Sequence, residues 1–266
     1  MKALALLGCL LALPAPAAAA AWTLPRGTWQ EIASAIYSNA DHGFDNRGNS
    51  ATPELFQRAL LQTDTEYGLT GKLTLFARTE TALAYVHDGG QPPVTAVDNA
   101  FEGGARWRLW QGLGIVSDDD VLSLEGSVRT AGAFNFAFSA NARSGGRDGG
   151  FRLLYGSGFR LWQHDGFLDL EAGERWLSNP RPDQTPIDLT TGVWLNPDWM
   201  VMLQSFNLVS GPATPPYSYF RSHKVELSGV WRLSRRFSLQ AGAFFSPAGQ
   251  NALDERGLAL ALWANF

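Results

Sequence analysis

The chain has 266 residues, a net charge of −4, 28 glycines, 12% aromatic residues and one cysteine, Cys9. A mildly acidic balance argues against nucleic acid as a partner, and one cysteine rules out a disulfide framework or a thiolate metal site. A mean hydropathy of −0.11 excludes a bundle of membrane helices, but not a membrane protein built of strands, in which only alternate residues meet lipid.

The start reads as a secretory leader: Met1-Lys2, an apolar run over 3–13, then A-x-A sites over 17–21. Cleavage is expected near Ala20 or Ala21, leaving 1–20 as signal peptide and 21–266 as the mature domain. Leu6-Leu7-Gly8-Cys9 imitates a lipoprotein box, but the apolar run continues past it, so Cys9 is read as part of the leader.

From Gly27 the chain divides into segments of about ten residues with one apolar face and one small or charged face, the period-2 mark of strands. Alternation is weak over 27–38 and is followed by a polar, glycine-rich loop predicted over 39–53. Residues 55–67 lead through a tight turn at 68–72 into 73–86, where Leu73, Leu75, Leu83 and Tyr85 oppose Phe76, Arg78 and Glu80. A loop is expected over 87–99. Over 101–110 Phe101, Ala105 and Trp107 oppose Glu102, Arg106, Arg108 and Trp110, and the next strand sets Leu122, Leu124 and Val128 against Glu125 and Arg129.

After a glycine-bearing stretch over 132–150, Phe151, Leu153, Phe159 and Leu161 oppose Arg152, Arg160, Gly156 and Gly158. A turn at 163–166 leads to Leu168 and Leu170 opposing Asp169, Glu171 and Arg175. A proline-rich loop over 178–186 precedes a pair, 187–195 and 199–209, whose alternation is too poor to choose the outer face of 200–206. Lys224 and Glu226 then oppose Val225, Leu227 and Trp231, and Phe237, Leu239 and Phe245 oppose Gln240, Gly242 and Phe244. Beyond a loop over 247–254, the last strand carries Leu258, Leu260, Leu262, Ala264 and Phe266 on one face. A terminal aromatic on an alternating strand has the form of an outer-membrane insertion signal, read by barrel-assembly machinery.

Short connections alternate with longer Gly-, Pro- and Asn-rich ones, and the count is roughly twelve strands. Alternation alone fits a soluble two-sheet sandwich equally well. Aromatics clustered near strand ends on the apolar face, together with the leader and Phe266, favour an all-β fold: a transmembrane antiparallel up-and-down barrel of about twelve strands in the bacterial outer membrane, with lipid around it. Its lumen is then lined by Arg78, Glu80, Glu102, Arg106, Arg108, Glu125, Arg129, Arg152, Arg160, Glu171, Arg175, Lys224 and Glu226, with Glu66, Asp169 and Asp188 among them. Two readings stay open for this set: neutralised pairs filling a narrow lumen, or an arginine ladder for acidic sugars. Gly104, Gly156, Gly158 and Gly173 are expected to leave space beside the charges.

A barrel-embedded lipid-modifying hydrolase would need a nucleophile beside a base. His42, His87 and His164 fall in expected loops or turns, His223 begins a strand, and no G-x-S-x-G is present. No cofactor or metal is implied, no catalytic residue is assigned, and the Asp118-Asp119-Asp120 run reads as a solvated turn.

Several segments together resemble the XagA-like proteins: Ala21-Trp22-Thr23-Leu24-Pro25, Glu66-Tyr67-Gly68-Leu69-Thr70 running into Leu73-Thr74-Leu75-Phe76, and Leu203-Gln204-Ser205-Phe206-Asn207. So do Ser238-Leu239-Gln240-Ala241-Gly242, Glu255-Arg256-Gly257 and the ending Leu262-Trp263-Ala264-Asn265-Phe266. The resemblance implies an outer-membrane barrel associated with exopolysaccharide export or surface attachment, with polysaccharide and periplasmic or inner-membrane glycan-synthesis machinery as partners. Uptake of small hydrophobic or aromatic solutes is the alternative transport reading.

Overall fold

The computed structural model describes residues 21–88, 94–130, 146–178, 180–215 and 217–266; the expected leader and most of the 132–150 stretch lie outside these. The described residues form strands and connections without a helix: β1 (Trp29–Phe44), β2 (Ser50–Thr70), β3 (Leu73–Asp88), β4 (Val94–Gln111), β5 (Val121–Thr130), β6 (Arg147–Leu161), β7 (His164–Trp176), β8 (Gln184–Trp194), β9 (Trp199–Ser210), β10 (Arg221–Arg232), β11 (Phe237–Gln250), β12 (Ala252–Leu253) and β13 (Arg256–Asn265). Each strand from β1 to β11 pairs antiparallel with the next, β11 pairs with β13, and β13 pairs with β1. The two-residue β12 continues the line of β13 along Gly43 and Phe44 of β1, so the closed sheet has twelve staves. Closure is completed at the chain end: the Trp29 amide donates to the Phe266 carbonyl at 3.0 Å, and the Phe266 amide donates back at 2.9 Å. No edge is left for a sandwich to form.

The closing strand shows which face meets lipid. Leu258, Leu260 and Leu262 are 62%, 55% and 44% exposed, while Ala259, Ala261 and Trp263 between them are 9%, 7% and 2% exposed. Lipid covers the first set, and the second fills the lumen. Aromatic pairs ring both rims. Trp29 meets Tyr67 at 4.9 Å, Trp199 stacks on Trp231 at 5.5 Å and Phe237 meets Phe266 edge-on at 6.2 Å, all at the end bearing the short turns. Phe151 and Trp176 meet at 5.6 Å at the loop end. Amphipathic rings belong at these two interfaces.

The strands run further than alternation predicts. The loops expected over 39–53, 87–99 and 247–254 are largely strand, because β1 reaches Phe44, β2 begins at Ser50, β3 reaches Asp88, β4 begins at Val94 and β11 reaches Gln250; of the loop expected over 178–186 only 184–186 are strand, at the start of β8. A strand of about 9–11 residues crosses a bilayer, and β2 has 21. Beyond the lipid neither face needs to be apolar, so the pattern fades while the ladder continues. For the same reason His42 and His87 lie on strands, and His164 opens β7.

Two side-chain directions follow only from the pairing. In β9 Met200 and Met202 are buried inside while Val201 and Leu203 face lipid, which settles the ambiguous strand. In β4 a bulge between Arg108 and Trp110 puts Trp110 opposite Leu122 and outside, 60% exposed, not on the inner face with Arg106. The lumen is therefore two-sided. Phe167, Met200, Met202, Val230, Ala261 and Trp263 form an apolar wall, and the ionised residues concentrate on β2 to β8.

The barrel lumen as candidate functional site

Inward side chains on neighbouring staves meet where the ladder sets them opposite, and these meetings are mostly between opposite charges. Nearest the short-turn end, Arg106, 1% exposed, donates from Nη2 to Glu66 Oε1 at 2.7 Å and to Glu125 Oε2 at 3.0 Å. Farther up, Arg78 reaches Asp64 at 2.9 Å and Glu125 at 3.0 Å, and Arg152 reaches Glu171 at 2.8 Å and Asp188 at 3.2 Å. Toward the loop end Arg129 pairs with Glu80, Lys224 and Arg58 share Glu255, and Arg181 pairs with Asp148. Paired and largely withdrawn from water, such charges depend on one another, because removing one member of a pair strands the other in the lumen.

Of the predicted lining, Arg78, Glu80, Glu102, Arg106, Glu125, Arg129, Arg152, Glu171, Arg175, Lys224 and Glu226 point into the barrel. Arg160 does not. It lies at the β6–β7 turn, pairs with Asp165 there and is 70% exposed, because the sheet no longer encloses it. Arg108 is at the same rim, where its Nη2 donates to the Gly71 carbonyl at 2.8 Å. Arg58, Asp64, Asp148, Arg181 and Glu255 were not among the predicted residues. Arg58 and Asp64 share the parity of Glu66 along β2, a signal that was present; Arg181 comes from the 177–183 connection folded inward, for which alternation offers none.

The expected space beside the glycines is mostly filled. A Cβ at Gly104 would stand 2.3 Å from the Phe76 ring, at Gly173 2.8 Å from the Arg152 side chain and at Gly156 2.4 Å from the Trp22 ring; only Gly158 faces open space. At Gly104, Gly156 and Gly173 a Cβ has no room, against a large inward side chain and, at Gly104 and Gly173, a neighbouring backbone carbonyl as well.

Trp22 reaches Gly156 because residues 21–28 turn back into the lumen from the short-turn end. The Gly27 amide donates to the Gly68 carbonyl at 2.7 Å, the Leu24 amide to Thr74 Oγ1 at 2.8 Å and Thr23 Oγ1 to the Gly71 carbonyl at 3.1 Å. Deeper in, Ser123 Oγ donates to the Ala21 carbonyl at 2.6 Å, Arg106 Nη1 to the Trp22 carbonyl at 3.3 Å, and the Ala21 nitrogen to Asp169 Oδ2 at 2.7 Å. The Trp22 ring packs on the apolar wall. This segment bridges the charged and apolar sides and occupies the short-turn half of the lumen.

Above it lies a cavity of about 240 Å³, lined by Leu60, Ala82, Ala100, Leu208, Phe220 and Leu253 together with Glu80, Arg129, Arg175, Arg181, Lys224 and Glu255. Arg175 differs from the other cations here: among the described residues it makes no hydrogen bond or ion pair, while Arg129, Arg181 and Lys224 each hold a carboxylate. At the rim, Asp120 is buried, contrary to the solvated turn expected. Burial opposes its ionisation, but the Ser157 hydroxyl and the backbone amides of Val116, Ser117 and Ile115 hold its carboxyl far below the usual range. It organises the nine-residue 112–120 turn, the long exception among the short connections. His164 Nδ1 lies 2.9 Å from the Trp194 carbonyl and His223 Nδ1 bonds the Asn207 side chain, so neither of these imidazoles meets a nucleophile. Among the described residues no cluster of His, Cys, Asp or Glu could hold a metal ion.

A closed up-and-down sheet of twelve staves, with a lipid-facing apolar belt, aromatic rims and an ionised lumen, defines a transmembrane β-barrel of the bacterial outer membrane. No protein-family model and no curated protein matches the chain. Among solved structures it is similar to the COG4313 outer membrane channel from Pseudomonas putida F1, with TM-score 0.69 and 16% identity over 93% of this chain and 98% of that one. It is also similar to the translocator domain of the autotransporter NalP from Neisseria meningitidis (TM-score 0.54, 8% identity, 90% and 88% coverage) and to the NanC porin (0.52, 9%, 87% and 98%). Identities this low establish the shared fold and leave the cargo to be argued from the lumen.

Proposed function

We propose that the protein is a narrow outer-membrane channel for small anionic solutes that also carry an apolar part. The observation that carries this reading is Arg175, a cation that makes no ion pair or hydrogen bond among the described residues, on the wall of a cavity that is otherwise half apolar and half neutralised. A guanidinium offers a carboxylate two parallel donors, and the adjoining Leu60, Leu208 and Phe220 suit a hydrocarbon or ring face. The cavity, about 240 Å³, has the size of a small molecule and not of a polymer. The resemblance to XagA-like proteins would make the solute an acidic sugar or a short acidic fragment of an exopolysaccharide. Passage of a full glycan strand would require residues 21–25 to leave the lumen.

Reconstitution in planar bilayers and in liposomes tests this. The channel is expected to prefer anions and to swell liposomes with benzoate or glucuronate faster than with neutral glucose, and Arg175→Gln should abolish both preferences. Equal permeation of glucose, or a preference unchanged in R175Q, would refute it. Faster entry of benzoate than glucuronate assigns the apolar wall a role in selection; the reverse favours the sugar.

A further inference from the structure

Asp169, a buried carboxylate of the lumen, has no cation paired with it among the described residues. Among the described residues Glu66, Glu125, Glu171 and Asp188 each have an arginine within 4 Å, whereas Asp169, 2% exposed, has none. Its Oδ2 accepts from the Ala21 nitrogen at 2.7 Å, and its Oδ1 is buried without a hydrogen-bond partner. A peptide nitrogen at Ala21 has one N–H and no charge. A free amino terminus there would bring three N–H donors and a positive charge, enough to serve both oxygens and balance the carboxylate.

We infer that the leader is removed between Ala20 and Ala21 and that the α-ammonium so created is the missing counter-ion of Asp169, locking residues 21–25 in the lumen. Ala18-Ala19-Ala20 and Ala19-Ala20-Ala21 are equally good processing sites in sequence. The structure distinguishes them. Cutting after Ala21 would discard the nitrogen that meets Asp169 and the carbonyl that accepts from Ser123 at 2.6 Å; cutting after Ala20 places the new charge 2.7 Å from its partner. The surroundings suit a one-methyl residue, with Val121 and Leu154 packed around Ala21 and Gly156 facing its Cβ. Processing thus does more than release the chain from the inner membrane, because it makes the group that fastens the segment.

The test uses mature protein purified from outer membranes, with folding checked by heat-modifiable migration. Intact mass is expected to correspond to 21–266; a chain beginning at Trp22, or upstream of Ala21, overturns the inference. Two variants then separate charge from peptide: Asp169→Asn, and Gly-Ser inserted between Ala20 and Ala21, which keeps the Ala21 N–H but moves the ammonium away. Each is expected to raise amino-terminal labelling by an amine-reactive ester, and the frequency of large-conductance openings, by about tenfold, the size of one charge-assisted bond. Combining them should add little. An insertion variant indistinguishable from wild type, or effects that multiply, would overturn the inference. Mass and labelling read the lock even if the barrel conducts nothing, so failure of the channel reading is separable.

Discussion

Arg106 is the residue whose loss the structure prices most directly. Its guanidinium is 1% exposed and serves Glu66, Glu125 and the Trp22 carbonyl. Truncation in Arg106→Met leaves Glu125 with Arg78 at 3.0 Å, but leaves Glu66, itself buried, with no other cation within 4 Å among the described residues. A stranded buried charge costs about 3–5 kcal/mol, whereas removing both members of a buried pair is often close to neutral. R106M should therefore destabilise the barrel by about 3 kcal/mol or more, and R106M combined with Glu66→Gln should lie within about 1 kcal/mol of wild type. Reversible urea unfolding in lipid vesicles, followed by fluorescence of the ten tryptophans, measures both. If the single variant is as stable as wild type, or the double variant falls as far as the single one, Glu66 is solvated and the account of the lumen as a set of mutually dependent pairs is wrong.

Gly156→Val would place side-chain atoms where the Trp22 ring now lies, 2.4 Å from a Cβ, so it should expel residues 21–25, raise conductance and lower stability by on the order of a few kcal/mol, the size of that segment's contacts less the chain entropy it regains, with the strand ladder intact. On the lipid face Leu260→Arg should cost about 2–4 kcal/mol at mid-bilayer depth, while Leu233→Arg, in the 233–236 turn, should cost less than about 1 kcal/mol; equal costs in vesicle unfolding would refute the depth assignment. Asp120, with its carboxyl held below the usual range, contributes stability that is complete above the ordinary carboxylate pKa and is lost only as pH falls through its own lower value. Protease resistance of the 112–120 turn should accordingly be flat from pH 8 to about pH 4, and a loss centred near pH 5 would refute the buried placement. Deleting Phe266 removes both bonds to Trp29 and the ring contact with Phe237, and should lower the fraction assembled in the outer membrane, as read by heat-modifiable migration.

What sequence could reveal was set by where lipid enforces a rule. Between the rims every second residue must be apolar, so staves such as β13, with Leu258, Leu260 and Leu262 outward, were legible. Past the rims the rule lapses, and the outer halves of β1 to β4 read as loop although their ladder continues. Inside, parity identified which charges face inward but not how high each stands, so Arg160, of correct parity, ended at the rim. Contacts that cross between segments left no periodic trace. Arg181 entering from a connection, Trp22 lying on Gly156 and the bulge that turns Trp110 outward all depend on three-dimensional closure.

The same geometry separates what can move from what cannot. The staves are tied by a continuous closed ladder, and opening it would expose unpaired backbone to lipid, which is prohibitive. Residues 21–24 are fastened by five bonds, from Asp169, Ser123, Arg106, Thr74 and Gly71, each worth about 1 kcal/mol net. Their sum, about 5 kcal/mol, is a release population on the order of one in several thousand before the chain entropy regained on release is counted. Burial of the Trp22 ring on the apolar wall adds about 2 kcal/mol in the same direction. A segment held this firmly narrows the lumen at rest. A bound solute could still shift it, because an anion that reaches Arg175 and competes for the arginines below draws on the same electrostatic network that holds the Trp22 carbonyl through Arg106. Release of the segment and occupation of the cavity would then be linked equilibria within one barrel, and conductance that rises with benzoate concentration in wild type but not in R175Q would show the link.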